Sequence, residues 1–167
     1  MESIPERFVY RYLGNSGLRV SVLSYGNYLT ANTEAEERTN IDCIKKAYEL
    51  GVNFFDTAEI YGYGNAEVVL GKAIKEIGCN REDIVISTKF ISVGVGVHDR
   101  GLSRKHIIEG LWNSLKRLDL EYVDIVFAHR PDDETPLEET CRAFNWVIDQ
   151  GLAFYWGTSA FPAETIT

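Results

Sequence analysis

The sequence lacks a long hydrophobic run, an excess of basic residues, a low-complexity stretch and a proline-rich linker. No apolar run approaches the ~20 residues that a membrane-spanning helix needs. The 25 acidic residues outnumber the 17 basic ones, which argues against nucleic acid as a partner because nucleic-acid-binding surfaces are strongly basic. Residues 1–7 include acidic side chains and lack the apolar core of a signal peptide, so we expect a cytoplasmic protein.

Cysteine is scarce, and common catalytic motifs are absent. Cys43, Cys79 and Cys141 are odd in number and far apart, which fits neither a disulfide framework nor a metal site. The simplest interpretation is buried free thiols in a reducing compartment, with no bound metal. No HExxH, GxSxG or P-loop occurs, and residues 24–28 do not form the GxGxxG of a dinucleotide-binding loop.

What the sequence does contain is a regular alternation of apolar runs and amphipathic stretches. An N-terminal hairpin is predicted from the Asn-Ser-Gly turn between residues 8–14 and 18–22. Strand-like runs follow at 22–25, 52–55, 84–87, 123–127 and 153–156. Helical spacing of apolar residues predicts helices at 33–50, 65–77, 103–118 and 137–150. Ser103 is the expected N-cap of the third helix, and Gly51 and Gly151 are expected to end the first and fourth.

Near-continuous apolar strands that alternate with helices predict an α/β fold with a parallel sheet covered by helices. The alternation alone fits both a doubly wound sheet and a (β/α)8 barrel. Five strand–helix beginnings can be counted, whereas such a barrel has eight and runs to about 250 residues. If the fold is a barrel, residues 1–167 are the N-terminal part of a single barrel domain.

Four polar side chains, which we call the tetrad, stand at or just beyond predicted strand ends. Asp56, Lys89 and His129 each follow a strand, and Tyr61 lies five residues after Asp56. In a barrel the carboxyl ends of all strands open onto one face, so the four side chains would converge there. Each has an ordinary alternative, namely a turn cap, a solvated strand end, a loop histidine and a packed tyrosine. Four such coincidences at successive strand ends are much less probable than one.

A convergent tetrad of this kind has a definite chemistry. A phenol is a weak acid near neutral pH, and a lysine ammonium beside it favours the phenolate form. A carboxylate next to the lysine keeps the ammonium charged and oriented. Tyr61 could then protonate an alkoxide as a nicotinamide delivers hydride, and His129 would orient the carbonyl oxygen or share in proton transfer.

Several segments of the sequence resemble the aldo-keto reductase family. Residues 54–62, Phe-Phe-Asp-Thr-Ala-Glu-Ile-Tyr-Gly, are similar to the signature that carries the catalytic aspartate and tyrosine, and residues 86–89, Ile-Ser-Thr-Lys, to the strand with the catalytic lysine. The hairpin at 13–21 resembles the plug at the bottom of that barrel. Within the family, potassium-channel β-subunits are the nearest likeness. The supporting segments are 100–110, 120–124, 127–132 and 155–159.

The resemblance implies an aldo-keto reductase TIM barrel, here incomplete, with the hairpin and about five strands. It implies NADPH as cofactor, a small aldehyde or ketone as substrate, and Tyr61, Lys89, Asp56 and His129 as catalytic residues. The expected cofactor-binding residues are Asn27, Tyr28, Asp56 and Ser159.

The sequence departs from channel β-subunits in three places. Histidine at 129 replaces the asparagine common there, which is the choice of active reductases. Asn27 and Tyr28 stand in place of threonine and tryptophan, and Ala160 stands in place of a common arginine.

Two further readings concern partners rather than catalysis. In the family, the segments that hold the pyrophosphate and adenosine lie in the C-terminal part of the barrel. Residues 1–167 contain neither these segments nor the last three strands of such a barrel. We therefore expect a fragment, a short gene product or one component of a larger assembly. The alternatives to a reductase are a non-catalytic accessory subunit of a channel or larger complex, and a truncated paralogue packed into an assembly. The resemblance to channel β-subunits implies that the protein forms an oligomer. It also implies that this oligomer is held at a membrane through a partner, the cytoplasmic domain of a potassium channel.

Overall fold

The computed structural model describes residues 8–28, 33–92 and 94–167. The chain begins with an antiparallel hairpin of β1 (Tyr10–Tyr12) and β2 (Arg19–Ser21). The strands of the main sheet are β3 (Tyr25–Gly26), β4 (Phe54–Asp56), β5 (Val85–Phe90), β6 (Ile125–Ala128) and β7 (Tyr155–Thr158). The helices are α1 (Glu34–Glu49), α2 (Asn65–Ile77), α3 (Arg104–Leu118), α4 (Leu137–Asp149) and the short α5 (Ala163–Ile166).

The main sheet is parallel and its strand order is β3-β4-β5-β6-β7, the same as the order along the chain. A doubly wound sheet reverses its strand order at a switch point, whereas a barrel wall does not. The structure therefore decides between the two α/β arrangements in favour of the barrel type, with helices packed outside the strands.

The local signals at the helix ends are confirmed. Ser103 accepts a hydrogen bond from the His106 amide, as an N-cap does. Gly51 and Gly151 follow α1 and α4 with φ of 102° and 72°. Glycine adopts this left-handed conformation without the Cβ clash that other residues meet, so it ends a helix cleanly.

The five strands of the main sheet begin one to three residues later than predicted, and all five also end one to three residues later. The β5 ladder continues through Lys89 to Phe90, where the apolar run had suggested an end at residue 87. A polar residue does not end a strand whose backbone still finds partners on both sides.

The hairpin closes one end of the sheet, as the resemblance implies. Val20 of β2 packs with Val85 and Ile125, which are early residues of β5 and β6. Side chains alternate along β5, so Ser87 and Lys89 share the face of Val85 while Ile86 and Phe90 join the core under the helices. The opposite end of this inner face is left to the polar residues at the strand ends.

The expectation of buried thiols is wrong. Cys43 is exposed on α1, and Cys79 and Cys141 are half-buried; all three are free. Within the described ranges, no helix is both long and apolar enough to cross a membrane. The same residues contain no group of three or more His, Cys, Asp and Glu placed to bind a metal ion.

Candidate active site

Asp56 and Lys89 meet at the ends of neighbouring strands. Asp56 closes β4, which pairs with β5 so that Asp56 stands opposite Ser87. Lys89 Nζ donates to Asp56 Oδ2 at 2.5 Å and to the Thr57 carbonyl at 2.8 Å, and Ser87 Oγ donates to Asp56 Oδ1 at 2.5 Å. Lys89 is only 9% exposed. A charge with so little access to water needs such partners, so the ammonium is held in one place.

Tyr61 is brought back to this pair by a tight turn. It begins the 3-10 turn Tyr61–Gly64, in which Gly62, Tyr63 and Gly64 all have positive φ. The turn places the Tyr61 hydroxyl 3.3 Å from Lys89 Nζ, which donates to it, and Lys89 Nζ lies 4.9 Å from the ring centre. A phenolic oxygen beside an ammonium is the arrangement that proton transfer from tyrosine requires.

His129 completes the group from the next strand. It follows β6, and its amide donates to the Phe90 carbonyl at 3.0 Å. Its ring meets the Tyr61 ring edge-to-face, with centroids 5.6 Å apart and planes at 81°. The structure therefore brings all four predicted catalytic residues together.

The electrostatic setting of His129 favours its neutral form. Burial lowers the pKa of His129, and the positive charges of Lys89 and Arg130 lower it further. Nδ1 is buried and has no hydrogen-bond partner among the described residues. An unpaired lone pair is tolerated better than an unpaired N–H, so the proton of the neutral ring belongs on Nε2.

The predicted cofactor-binding residues lie around the tetrad and differ in burial and in the contacts that hold them. Asn27 is buried, and its Nδ2 donates to the Ala66 carbonyl at 2.6 Å. Tyr28 is exposed and meets the Tyr61 ring edge-on at 4.9 Å. Ser159 follows β7, and its amide donates to the Ala128 carbonyl at 2.9 Å. Asn27 is thus held as part of the framework, whereas the Tyr28 ring is open to a ligand.

A cavity of about 500 Å³ opens beside the tetrad. Its walls are mostly aromatic or apolar, with one guanidinium. They are formed by Tyr28, Ile60, Tyr61, Gly62, Ile91, His129 and Arg130. A larger groove of about 710 Å³ between α1 and α2 is lined mainly by exposed, paired charges. It is remote from the strand ends, so the smaller cavity is the one placed for chemistry.

Sequence reasoning assigned no role to a buried pair beside the site. Glu59 Oε1 accepts from His106 Nε2 at 2.9 Å and from the Ile91 amide at 2.8 Å, and the His106 ring also contacts the His98 carbonyl at 2.9 Å. The pair ties the end of β4 to the cavity wall at Ile91 and to the start of α3. Glu59 and His106 are 47 residues apart, so no local pattern could reveal their contact.

Ser87 was also missed, although a signal for it existed. Residues two apart on a strand share a face, so once Lys89 is placed on the inner face Ser87 must be there too. Its bond to Asp56 Oδ1 leaves Oδ2 for Lys89.

Comparisons with known proteins agree with this geometry. The sequence model of the aldo/keto reductase family matches residues 22–167. A probable voltage-gated potassium channel subunit beta of Oryza sativa subsp. japonica is 54% identical over 158 residues. A putative voltage-gated potassium channel subunit beta of Schizosaccharomyces pombe is 53% identical over 165 residues. The matches cover 95% and 97% of this chain but 48% of each relative, so the chain spans about half the length of the curated relatives it matches.

Two solved structures share the fold. A thermostable aldo-keto reductase in complex with the inhibitor epalrestat superposes with a TM-score of 0.82 at 35% identity, covering 93% of this chain and 55% of that one. An aldo-keto reductase from Bacillus halodurans in its holo form gives a TM-score of 0.84 at 31% identity, covering 95% of this chain and 52% of that one.

Proposed function

This chain belongs to the aldo/keto reductase family, and from that premise we propose that its tetrad is the proton-transfer site of an NADPH-dependent reductase of aldehydes or ketones. The observation that carries the proposal is the position of one ammonium. Lys89 Nζ lies 2.5 Å from the Asp56 carboxylate and 3.3 Å from the Tyr61 hydroxyl. In this proposal, residues 1–167 are the N-terminal part of one barrel domain.

The residues present fit a nicotinamide cofactor. The Tyr28 ring offers an aromatic wall at the edge of the cavity. The Ser159 hydroxyl makes no hydrogen bond to the described residues, so it is free to bind a carboxamide. Asp56 does not line the cavity itself; it binds Lys89, which donates to the hydroxyl of the lining residue Tyr61. Asn27 would act mainly by holding β3 against β4, because its backbone N–H donates to the Asp56 carbonyl at 2.7 Å.

Each member of the tetrad then has one task. Bound NADPH would supply the hydride. Tyr61 gives its phenolic proton to the carbonyl oxygen, and the Lys89 ammonium stabilises the negative charge left on the phenolic oxygen. Asp56 keeps that ammonium charged and in place. His129, neutral with its proton on Nε2, donates a hydrogen bond that orients the carbonyl oxygen.

Cofactor binding and turnover test this proposal separately. The purified chain is titrated with NADPH by fluorescence, and aldehyde reduction is followed by NADPH consumption. Tyr61→Phe should bind NADPH with little change and lose turnover by a factor of about 10²–10⁴, the usual contribution of a general acid. Tyr63→Phe is the matched control, since Tyr63 is 88% exposed in the same turn. Equal turnover in wild type and Tyr61→Phe would rule out Tyr61 as the acid.

A second candidate function is favoured by the relatives' names. The rice and fission-yeast proteins, at 54% and 53% identity, are described as potassium channel β-subunits. By this account the chain contributes to an oligomeric accessory subunit in the cytoplasm, held at a membrane through a channel's cytoplasmic domain. A folded chain that binds such a domain but not NADPH would favour this role. Tyr61→Phe should leave that binding unchanged.

A further inference from the structure

Arg130 is a cavity residue for which the proposed reaction has no task. It directly follows His129 and lines the same cavity of about 500 Å³. The side chain is exposed. In the part of the chain that the structure describes, no aspartate or glutamate lies within ion-pair distance of it. Its guanidinium is therefore available to a ligand that enters the cavity.

The lining of the cavity suits an anion better than a cation. Among the described residues, its walls contain no aspartate or glutamate. The nearest acidic side chain along the chain, Asp132, already accepts bonds from the Leu102 amide at 2.7 Å and the Thr135 hydroxyl at 2.6 Å. Asp56 is occupied by Lys89 and Ser87. Burial is the largest cause of the lowered pKa of His129; the positive charges of Lys89 and Arg130 lower that pKa further, and the negative charges of Asp56 and Glu59 oppose them.

The geometry points to Arg130 as the group that recognises a carboxylate on the substrate, which makes short aldehydes bearing a carboxylate the preferred class. This inference rests on the proposed reductase function. A guanidinium binds a carboxylate through two parallel N–H···O bonds, which fixes direction as well as affinity. With the carboxylate on Arg130, the carbonyl end is left for the adjacent Tyr61 and His129. The aromatic and apolar walls between them suit the short carbon chain.

Matched substrates test the preference directly. Succinic semialdehyde and butanal have the same chain length and differ in the carboxylate. Arg130→Gln should lower kcat/KM for succinic semialdehyde by about tenfold, the effect of losing one charge-assisted hydrogen-bonding group. The ratio of kcat/KM for succinic semialdehyde to kcat/KM for butanal should fall by about the same factor, and this ratio corrects for any general effect that Arg130→Gln has on turnover through His129. For Arg130→Lys, kcat/KM for succinic semialdehyde should lie between the values of wild type and Arg130→Gln. Lysine keeps the positive charge but lacks the planar guanidinium that makes two parallel hydrogen bonds.

A control removes the same charge elsewhere. Arg142 is exposed on α4 and lines none of the cavities at the strand ends. Arg142→Gln should therefore leave the ratio of the two kcat/KM values unchanged. If Arg130→Gln also leaves that ratio unchanged, Arg130 does not read the carboxylate and the inference falls.

A binding measurement decides the matter without turnover. Butanoate is titrated into the chain in the absence of cofactor while the His129 ring signals are followed by NMR. A saturable shift is expected in wild type and in Arg142→Gln, and its loss in Arg130→Gln; butanol should give none. If neither aldehyde is reduced by wild type, the proposed function fails while this titration still tests Arg130. An absent shift in wild type, or an equal one in Arg130→Gln, overturns the inference.

Discussion

The Lys89 ammonium lies 2.5 Å from a carboxylate oxygen of Asp56, across the boundary between β4 and β5. The two residues are 33 positions apart in the chain and lie on neighbouring strands. The Lys89 side chain is 11% exposed and that of Asp56 is 28% exposed, so the pair is shielded from water but not sealed. Its strength should therefore lie between that of a surface ion pair and that of a fully buried one.

Removing one partner of this pair should cost stability. Asp56→Asn leaves the Lys89 ammonium with no carboxylate, and we expect the free energy of unfolding to fall by about 3 kcal/mol, the lower end for a broken buried pair. Urea denaturation measures it. Glu49→Gln, which breaks the exposed pair of Glu49 with Lys46, should change stability by less than about 1 kcal/mol. Equal losses in the two variants would show that the Asp56 pair is no stronger than a surface contact.

The titration of His129 should report its neighbouring charges. Burial is the largest cause of its lowered pKa, followed by Lys89 and Arg130, whereas Asp56 opposes the shift. Arg130→Gln should raise the pKa of His129 towards its ordinary value, and Asp56→Asn should lower it further. NMR titration of the His129 ring in each variant measures both changes. Arg142→Gln serves as the control, and an identical shift there would mean that only overall charge matters.

The buried Glu59–His106 pair should make stability depend on pH. Burial alone would lower the pKa of His106, but the hydrogen bond to Glu59 and its charge, together with the His98 carbonyl and the charge of Asp99, outweigh burial and raise that pKa. Because the folded-state pKa lies above the unfolded value, the stabilisation is fully present below the unfolded value of about 6.5 and is lost as pH rises through the folded one.

Two histidine variants separate this effect from others. Denaturation is measured from about pH 6 to pH 9, and the fall in stability seen in wild type should be absent in His106→Gln. His98→Gln is the control, because His98 takes part through its backbone carbonyl and its side chain is exposed. The same pH dependence in wild type and His106→Gln would contradict the assignment.

Gly71 should tolerate no larger side chain. A Cβ at this position in α2 would lie 2.7 Å from the backbone carbonyl carbon of Leu118 in α3. In an open helix glycine-to-alanine adds up to about 1 kcal/mol of stability, but here two backbones would have to separate. Gly71→Ala should lower the free energy of unfolding by about 2 kcal/mol or more. Gly17→Ala, with nothing within 4 Å, should change it little in the same denaturation assay.

The four long helices could be predicted to within one residue at each end. Their signals are local: apolar spacing, the Ser103 cap and the glycines after α1 and α4 all act within a few residues. The strand limits were less accurate, as with β5, because the end of a strand depends on hydrogen bonds to partners far away in the chain.

The candidate site likewise has features that the sequence predicts and features that only the tertiary structure shows. The sequence by itself determined which polar residues would meet, because Asp56, Tyr61, Lys89 and His129 stand at or just beyond strand ends and a parallel sheet brings those ends to one edge. Only the tertiary structure decided the sequential strand order, the contact of Glu59 with His106 and the entry of Arg130 into the cavity. Each of these depends on packing between residues distant in the chain, and the side-chain period of a single element carries no information about its partners.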